Sequence, residues 1–264
     1  MIEVKNIYHT FNKNTLYHLD LFKDFSLTIN NGDFISLIGS NGAGKSTLLN
    51  MLAGSFVPDR GQILIDQLNI THQKEYVRAK HIGRVFQDPN MGNCPDMSIR
   101  ENLSIAYNKM KKFNLSRGVE RKNEPFFLEQ LEAFNMGLEN FINIPAGSLS
   151  GGQRQALSLL MATITEPKLL LLDEHTAALD PVTSKTVMEK TKQIVETKNI
   201  TTLMVTHNLN YAIEYGNRLV LIHKGEVIFD VGGKEKAELT KHKLLDIFTN
   251  SVPNDALSDV MAFG

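Results

Sequence analysis

Apolar and polar residues alternate in short segments near the start of the chain. The alternation over residues 2–4 and 25–29, the second followed by a polar turn with glycine, is typical of strands joined by tight connections. A third apolar run, 34–38, leads into a glycine-rich loop, and the pattern of 46–52 is helical and closes near Gly54. This part of the chain therefore predicts antiparallel strands and then the order strand, loop, helix.

The later part of the chain alternates apolar runs with helical patterns. Short apolar runs lie at 168–172, 200–205 and 219–223, and residues 181–196 have a helical pattern that begins at a proline. Strands that alternate with helices indicate a mostly parallel sheet. A polar, helical stretch over 98–138 predicts a separate helical subdomain.

Composition is typical of an ordinary globular protein. Of the 264 residues, 42% are hydrophobic and 22% are charged, which suits a chain with a sizeable core. The 28 Lys and Arg residues nearly balance the 29 Asp and Glu residues, so the overall charge offers little attraction to nucleic acid or to anionic lipid. We therefore expect no nucleic-acid partner, and we expect any link to a membrane to run through a protein.

The sequence shows no pattern typical of export or of membrane insertion. The first residues include Glu3 and no long apolar stretch, which predicts neither a signal peptide nor a transit peptide. The apolar run at 169–172 is far shorter than the roughly 20 residues that a spanning helix needs. The single cysteine, Cys94, cannot form an internal disulfide, which fits a reducing compartment. These features predict a cytoplasmic location.

A phosphate-binding motif lies between the strand predicted at 34–38 and the helix predicted at 46–52. It fits the pattern G-x-x-x-x-G-K-[ST], whose glycines let the backbone wrap a phosphate at a helix N-terminus. The lysine of this pattern reaches the β- and γ-phosphates of a nucleoside triphosphate, and its hydroxyl residue can bind Mg²⁺. A merely flexible turn is the alternative, which the flanking strand and helix disfavour. The residues are Gly39, Ser40, Asn41, Gly42, Ala43, Gly44, Lys45 and Ser46.

Two adjacent carboxylates, Asp173 and Glu174, follow the apolar strand predicted at 168–172. The carboxyl ends of strands in an α/β sheet are where ligands bind. Adjacent carboxylates can divide two tasks, since one can hold Mg²⁺ through water while the other accepts a proton from an attacking water. We assign Asp173 to the metal and Glu174 to the general base. The alternative is that both only begin a helix.

A phosphate loop alone does not distinguish kinases, GTPases and ATPases, but the segment Leu-Ser-Gly-Gly-Gln at 149–153 does. Together with the two preceding motifs, it resembles the ATP-binding cassettes, and the resemblance extends to about Gly232. In that family the segment presents main-chain groups to the γ-phosphate of ATP bound by the opposite subunit. Its serine can also cap the helix predicted at 153–163. The residues implied to bind ATP in this way are Ser150, Gly151, Gly152 and Gln153.

The resemblance implies roles for three more polar residues. Gln87 resembles the glutamine that binds Mg²⁺ and senses the permease. Asp180 belongs to the segment that resembles the loop crossing the dimer seam, and His207 resembles the histidine that contacts the γ-phosphate. The resemblance therefore implies that Glu174, His207 and Gln87 are the catalytic residues.

An aromatic residue and a threonine complete the implied nucleotide site. Phe11 resembles the aromatic residue that stacks on adenine, with Tyr17 as the weaker candidate and core packing as the alternative. Thr47, directly after the phosphate loop, is also implied to bind the nucleotide. Two residues depart from the family pattern: His175 stands where proline is usual, and Met161 stands where arginine is frequent. Neither departure removes a catalytic group.

The resemblance implies the fold class α/β, with a P-loop NTPase (RecA-like) core, an antiparallel β subdomain and an inserted helical subdomain. The predicted bounds are 1–87 and 165–233 for the core with its β subdomain, and 88–164 for the helical subdomain. Residues 234–264 are predicted to form a C-terminal helical tail.

The implied function is hydrolysis of ATP with Mg²⁺ to energise solute transport through a separate integral membrane permease. The implied partners are a second copy or a homologous ATPase subunit, the permease and, for an importer, an extracytoplasmic substrate-binding protein. We favour an importer, attached to the inner face of the cell membrane through the permease. A non-transport ATPase acting on nucleic acid or ribosomes is one alternative, and a phosphate-loop kinase or GTPase is another.

Overall fold

The computed structural model describes residues 1–111, 115 and 117–251, and the chain divides into two compact units. The first unit comprises residues 1–78 and 201–264, and the second comprises 79–200. These bounds differ from those predicted for the subdomains, which stay a prediction. Of the predicted helical tail, residues 252–264 lie outside the described residues.

The strands of the first unit form two sheets. In one, β1 is antiparallel to both β2 and β4, and β4 is antiparallel to β5, which gives the order β2-β1-β4-β5. In the other, β3 is parallel to both β8 and β9, and β10 is antiparallel to β9. The strands are β1 (Ile2–Phe11), β2 (Leu19–Ile29), β3 (Phe34–Gly39), β4 (Arg60–Ile65), β5 (Leu68–Asn69), β8 (Thr202–Val205), β9 (Arg218–His223) and β10 (Glu226–Gly232).

The parallel strands of the first unit are buried, which explains their mostly apolar sequences. All residues of β3 are buried, as are all residues of β8. Because β3 is parallel to both neighbours, the carboxyl ends of β3, β8 and β9 meet at one edge of the sheet. The phosphate loop, His207 and His223 follow or end these three strands.

The helices of the first unit include one, α9 (Lys241–Ser251), that packs against the sheet containing β3. Helix α9 contributes Leu244 and Phe248 to a core cluster that also contains Ile38, Leu209 and Leu219. Burial of these apolar side chains packs the C-terminal helix against the sheet. The helices are α1 (Lys45–Ala53), α2 (Glu75–Arg78), α7 (Leu209–Glu214), α8 (Gly233–Ala237) and α9 (Lys241–Ser251).

The second unit combines a parallel strand pair with helices. Strands β6 (Ile82–Val85) and β7 (Leu169–Asp173) are parallel, with Val85 opposite Leu172. The polar stretch predicted to be helical contains α3 and α4, and the helix predicted to begin at a proline does so. Short 3-10 helices lie at 89–91, 121–123, 138–141 and 146–148. The α-helices are α3 (Ile99–Asn108), α4 (Glu124–Glu132), α5 (Gly151–Thr163) and α6 (Pro181–Lys198).

Candidate functional site

The phosphate loop joins β3 to α1 in a conformation that its glycines make possible. Gly39 has φ +157°, and a Cβ atom there would collide with the carbonyl oxygen of Ile222. Gly44 has φ +104°, and a Cβ atom there would lie 2.8 Å from Cζ of Phe22. Only glycine suits these two positions without strain, because both combine a left-handed or unusual φ with a close neighbour. The motif therefore has a defined loop geometry.

Lys45 and the first turn of α1 give this loop the features of an anion site. The Lys45 Nζ donates hydrogen bonds to the carbonyl oxygens of Gly39 (2.7 Å) and Ser40 (2.9 Å), and the residue is only 6% exposed. Gly44 caps α1 without a side-chain hydrogen bond, and the first turn contains no acidic residue. A helix N-terminus of this kind attracts negatively charged groups. Ser46 is exposed and Thr47 is half-buried in the same turn.

His207 and Phe11 also belong to the first unit. His207 lies half-buried just after β8, and the following Asn208 caps α7 by accepting a hydrogen bond from the Tyr211 N–H (3.1 Å). The ring of Phe11, at the end of β1, makes edge contacts with His9 (4.6 Å between centroids) and Phe56 (6.2 Å). The adenine role of Phe11 stays a prediction beside this packing role.

In the second unit, the two predicted carboxylates lie at the end of β7. The Asp173 Oδ2 accepts a hydrogen bond from the Arg84 guanidinium at 3.2 Å, and both side chains are largely shielded from water. Arg84 also lies over the ring of Phe86, 4.5 Å from its centroid. Glu174 has φ +46°, a left-handed conformation that is uncommon outside glycine. Such strain is often found at functional sites.

His175 is buried directly after Glu174. It is 2% exposed, and its Nε2 lies 3.2 Å from the Thr191 Oγ1 on α6. The Thr191 hydroxyl donates its own hydrogen to the carbonyl oxygen of Val187 (2.8 Å), so Oγ1 must accept from His175 Nε2–H. The imidazole therefore ties the turn after β7 to α6. Burial lowers the pKa of His175 to about 4.

We expect His175 to make the protein less stable in mild acid. The unfolded chain binds a proton at this residue below pH 6.5, whereas the folded chain does so only near pH 4, so the free energy of unfolding falls as pH drops between these values. At pH 5 the expected loss is about 2 kcal/mol relative to pH 7. Urea unfolding in EDTA at both pH values measures it.

The matched comparison uses two glutamine variants. In His175→Gln, the difference in the free energy of unfolding between pH 7 and pH 5 should be about 2 kcal/mol smaller than in the original protein, whatever the variant's stability at pH 7. His72→Gln, at an exposed position of the first unit, should keep the dependence of the original protein. An unchanged dependence in His175→Gln would show that other groups cause the acid sensitivity.

The segment Leu-Ser-Gly-Gly-Gln at 149–153 leads into α5 in the second unit. The Ser150 Oγ accepts from the Gln153 N–H (3.3 Å), and the Gln153 Oε1 accepts from the Ser150 N–H (3.1 Å), which together form a capping box. The helix starts at Gly151, two residues earlier than predicted. Gly152 has no room for a side chain, because a Cβ atom would collide with Cγ2 of Thr183 on α6. The nucleotide roles of these residues stay a prediction.

Asp180 and Gln87 occupy loops of the second unit. Asp180 caps α6, and its Oδ1 accepts hydrogen bonds from the N–H groups of Val182 and Thr183 (both 3.1 Å). The hydrogen bond with the Thr183 side chain and then these main-chain bonds lower the pKa of Asp180. Gln87 is exposed just after β6, next to Phe86, whose carbonyl oxygen accepts a hydrogen bond from Gln155 Nε2 (3.0 Å). Neither observation tests the predicted nucleotide contacts.

The donors proposed for Mg²⁺ suit that ion chemically. Mg²⁺ prefers oxygen ligands and usually keeps several waters, with few protein ligands of its own. Ser46, Gln87 and Asp173 offer a hydroxyl, an amide oxygen and a carboxylate. Within the described residues no group of three or more His, Cys, Asp or Glu side chains could hold a metal ion.

Sequence reasoning missed three residues that support these motifs. Arg84 holds the Asp173 carboxylate, Arg78 binds the end of α1, and His223 contacts Ser40. The signal for Arg84 and His223 is weak, since each is a single polar residue in an otherwise apolar run, Arg84 within β6 and His223 at the end of β9. Which motif such a residue contacts depends on how the parallel strands are aligned, and the sequence pattern does not show that alignment.

In the described part of the chain, the helices are too short or too polar to cross a membrane.

Comparison with known proteins identifies the family. The family model described as "ABC transporter" matches residues 22–177. A tyrosine transport ATP-binding protein of Clostridioides difficile is 49% identical over 253 residues, which are 96% of this chain and 100% of that protein. The spermidine/putrescine import ATP-binding protein PotA of Haemophilus influenzae is 35% identical over 89% of this chain, which spans 59% of that relative.

A solved structure agrees with the sequence relatives. A dimeric ATP-binding cassette, in a post-hydrolysis state bound to ADP and Pi, superposes with a TM-score of 0.75 and 30% identity over 88% of this chain and 98% of that one. The predicted fold class and the predicted family are confirmed. The chain is an ATP-hydrolysing ATP-binding cassette and belongs to the ABC transporter family.

Proposed function

We propose that this chain hydrolyses ATP to energise the import of a solute through a separate integral membrane permease. The observation that carries this proposal is the 49% identity to a tyrosine transport ATP-binding protein, over 96% of this chain and all of that relative. The import ATP-binding protein at 35% identity supports import over export. Both relatives are transport proteins, which favours this function over the alternative of acting on nucleic acid or ribosomes. The chain would act at the inner face of the cell membrane, attached through the permease.

The residues of the first unit would bind the nucleotide. The loop from Gly39 to Ser46 would wrap the phosphates with its N–H groups, and Lys45 would exchange its bonds to loop carbonyls for bonds to the β- and γ-phosphates. Thr47 would add a hydroxyl in the same turn, and Phe11 would stack on adenine. His207 would donate a hydrogen bond to the γ-phosphate.

The residues of the second unit would carry the hydrolytic step. Glu174 accepts a proton from the attacking water, the water oxygen bonds to the γ-phosphorus, and the bond from that phosphorus to the ADP oxygen breaks. The products are ADP and inorganic phosphate. Ser46, Gln87 and Asp173 would hold Mg²⁺, which when bound neutralises charge on the phosphates. Arg84 holds the Asp173 carboxylate at 3.2 Å and thereby fixes where that donor lies.

The working form would be a dimer with a second copy or a homologous ATPase subunit. The solved cassette that this chain resembles is dimeric. Ser150, Gly151, Gly152, Gln153 and Asp180 would then meet the nucleotide bound by the opposite subunit. Such closure on ATP and reopening after hydrolysis couples chemistry to movement of a docked partner.

The cargo would be an amino acid with an aromatic side chain. This proposal comes from the named activity of the relative at 49% identity. The permease and an extracytoplasmic substrate-binding protein would select the cargo, because an ATP-hydrolysing subunit on the inner face does not meet it outside the cell.

Transport by the reconstituted complex tests the proposed function. The tagged chain should co-purify with an integral membrane protein, and proteoliposomes holding that complex should take up labelled tyrosine only with ATP on the side of this chain. Lys45→Met should abolish uptake while the complex still assembles. Recovery of nucleic acid or ribosomes instead of a membrane protein would contradict the proposal.

A further inference from the structure

The end of β9 and the turn that leads to β10 contact the phosphate loop at three of its residues. At the start of the loop, Gly39 packs so closely on the carbonyl oxygen of Ile222 that no side chain fits. In the middle, the Gly225 N–H donates to the carbonyl oxygen of Ala43 (3.0 Å). Between these contacts, His223 Nδ1 lies 3.3 Å from Ser40 Oγ. The end of β9 and the turn therefore support the loop through both main-chain and side-chain contacts.

The His223 contact joins the end of β9 to Ser40, one of the two loop residues that hold Lys45. Ser40 is 6% exposed, and its carbonyl oxygen accepts a hydrogen bond from Lys45 Nζ (2.9 Å). A shift of Ser40 would therefore move one of the two carbonyl oxygens that hold the lysine. The position of His223 therefore affects where the Lys45 Nζ lies, and this is the group proposed to bind the phosphates.

Stability alone does not account for a histidine at this position. The Nε2 atom of His223 is buried and, within the described residues, has no hydrogen-bond partner. Burial lowers the pKa of His223, the neighbouring Lys224 lowers it further, and Glu226 opposes both effects. A buried polar nitrogen without a partner costs free energy that an apolar side chain would not cost. The remaining polar contact of the ring is the one to Ser40.

We propose that His223 is a positioning residue for nucleotide binding, which holds Ser40 and thereby keeps the phosphate loop in the shape that receives the phosphates. This proposal rests on the proposed role of the loop in ATP binding. His223 would act through Ser40 and need not touch the nucleotide. Its loss should weaken binding and raise KM, and it should leave kcat at saturating ATP within about twofold.

A double-mutant cycle with a fluorescent nucleotide tests the proposal. Titration of the metal-free protein with mant-ADP should give a Kd about three- to tenfold higher for His223→Leu, the range expected from one hydrogen bond. His223→Asn keeps a polar atom at the place of Nδ1 and should bind within about twofold of the original. Ser40→Ala should weaken binding similarly, and the double variant should be no weaker than either single one.

The controls separate this proposal from the proposed role of the loop. Lys45→Met should lose mant-ADP binding; if it binds normally, the role of the loop itself fails. If Lys45→Met loses binding while His223→Leu and Ser40→Ala bind normally, only the positioning role is overturned. Additive losses in the double variant would also overturn it. Should His223→Leu fold poorly, His223→Phe, which keeps an aromatic ring but has no polar ring atom, takes its place in the cycle.

Discussion

Replacing Glu174 with glutamine is expected to lower ATP turnover by about two to three orders of magnitude. Glutamine keeps the size and the hydrogen-bonding reach of the side chain, but it cannot accept the proton of the attacking water at neutral pH. Nucleotide affinity should stay within a few-fold, because the phosphate loop and Lys45 are unchanged. Release of inorganic phosphate, measured with Mg-ATP, reports turnover, and mant-ATP titration reports affinity.

The same variant should accumulate an ATP-bound dimer. Hydrolysis is the step that reopens the closed state, so blocking hydrolysis traps that state, which size-exclusion chromatography detects. Glu166→Gln is the matched control, since Glu166 is exposed, has a positive φ of 49° and precedes the same strand, β7. It should hydrolyse ATP at the original rate. A monomeric Glu174→Gln with full turnover would show that Glu174 is not the general base.

The sequence predicted the buried parallel strands better than the antiparallel ones. Strand β3 begins at the predicted residue, because burial on both faces leaves a mostly apolar run, whose polar residue Ser36 is itself buried. Strand β2 starts at Leu19, six residues earlier than the predicted start. Near Asp24, with φ 61°, the pairing with β1 shifts register, and Asn6 donates to the Asp24 carboxylate (2.7 Å). A bulge of this kind breaks the two-residue alternation on which the prediction depends.

In the candidate site, too, the features formed by neighbouring residues could be predicted, whereas the contacts between residues far apart in the sequence could not. The phosphate loop could be recognised because its glycines and its lysine lie within eight consecutive residues. Arg84 and Asp173 are 89 residues apart, and His223 and Ser40 are 183 apart. Such pairs follow from strand order and register, which hydrophobic periodicity does not determine. The supporting contacts of a site are therefore harder to predict than its motifs.

Replacing Arg78 with methionine is expected to lower the free energy of unfolding by about 3 kcal/mol or more. Arg78 is 1% exposed, and burial lowers its pKa. Its guanidinium donates to main-chain carbonyl oxygens of Met51 (2.6 Å), Leu52 (3.0 Å), Thr71 (2.7 Å) and Gln73 (3.0 Å). Methionine fills part of the volume but leaves these buried acceptors unpaired. Urea unfolding measures the loss.

Two further variants show whether the guanidinium itself causes the effect. Met51 and Leu52 lie in the last turn of α1, whose carbonyls need donors and whose dipole favours a cation. Arg78→Lys keeps the charge but has fewer donors to spread over these acceptors, so its loss should be smaller than that of Arg78→Met. Arg60→Met, at an exposed position that begins β4, should change stability by no more than about 0.5 kcal/mol. Equal losses in Arg78→Met and Arg60→Met would show that the carbonyls at the end of α1 do not depend on Arg78.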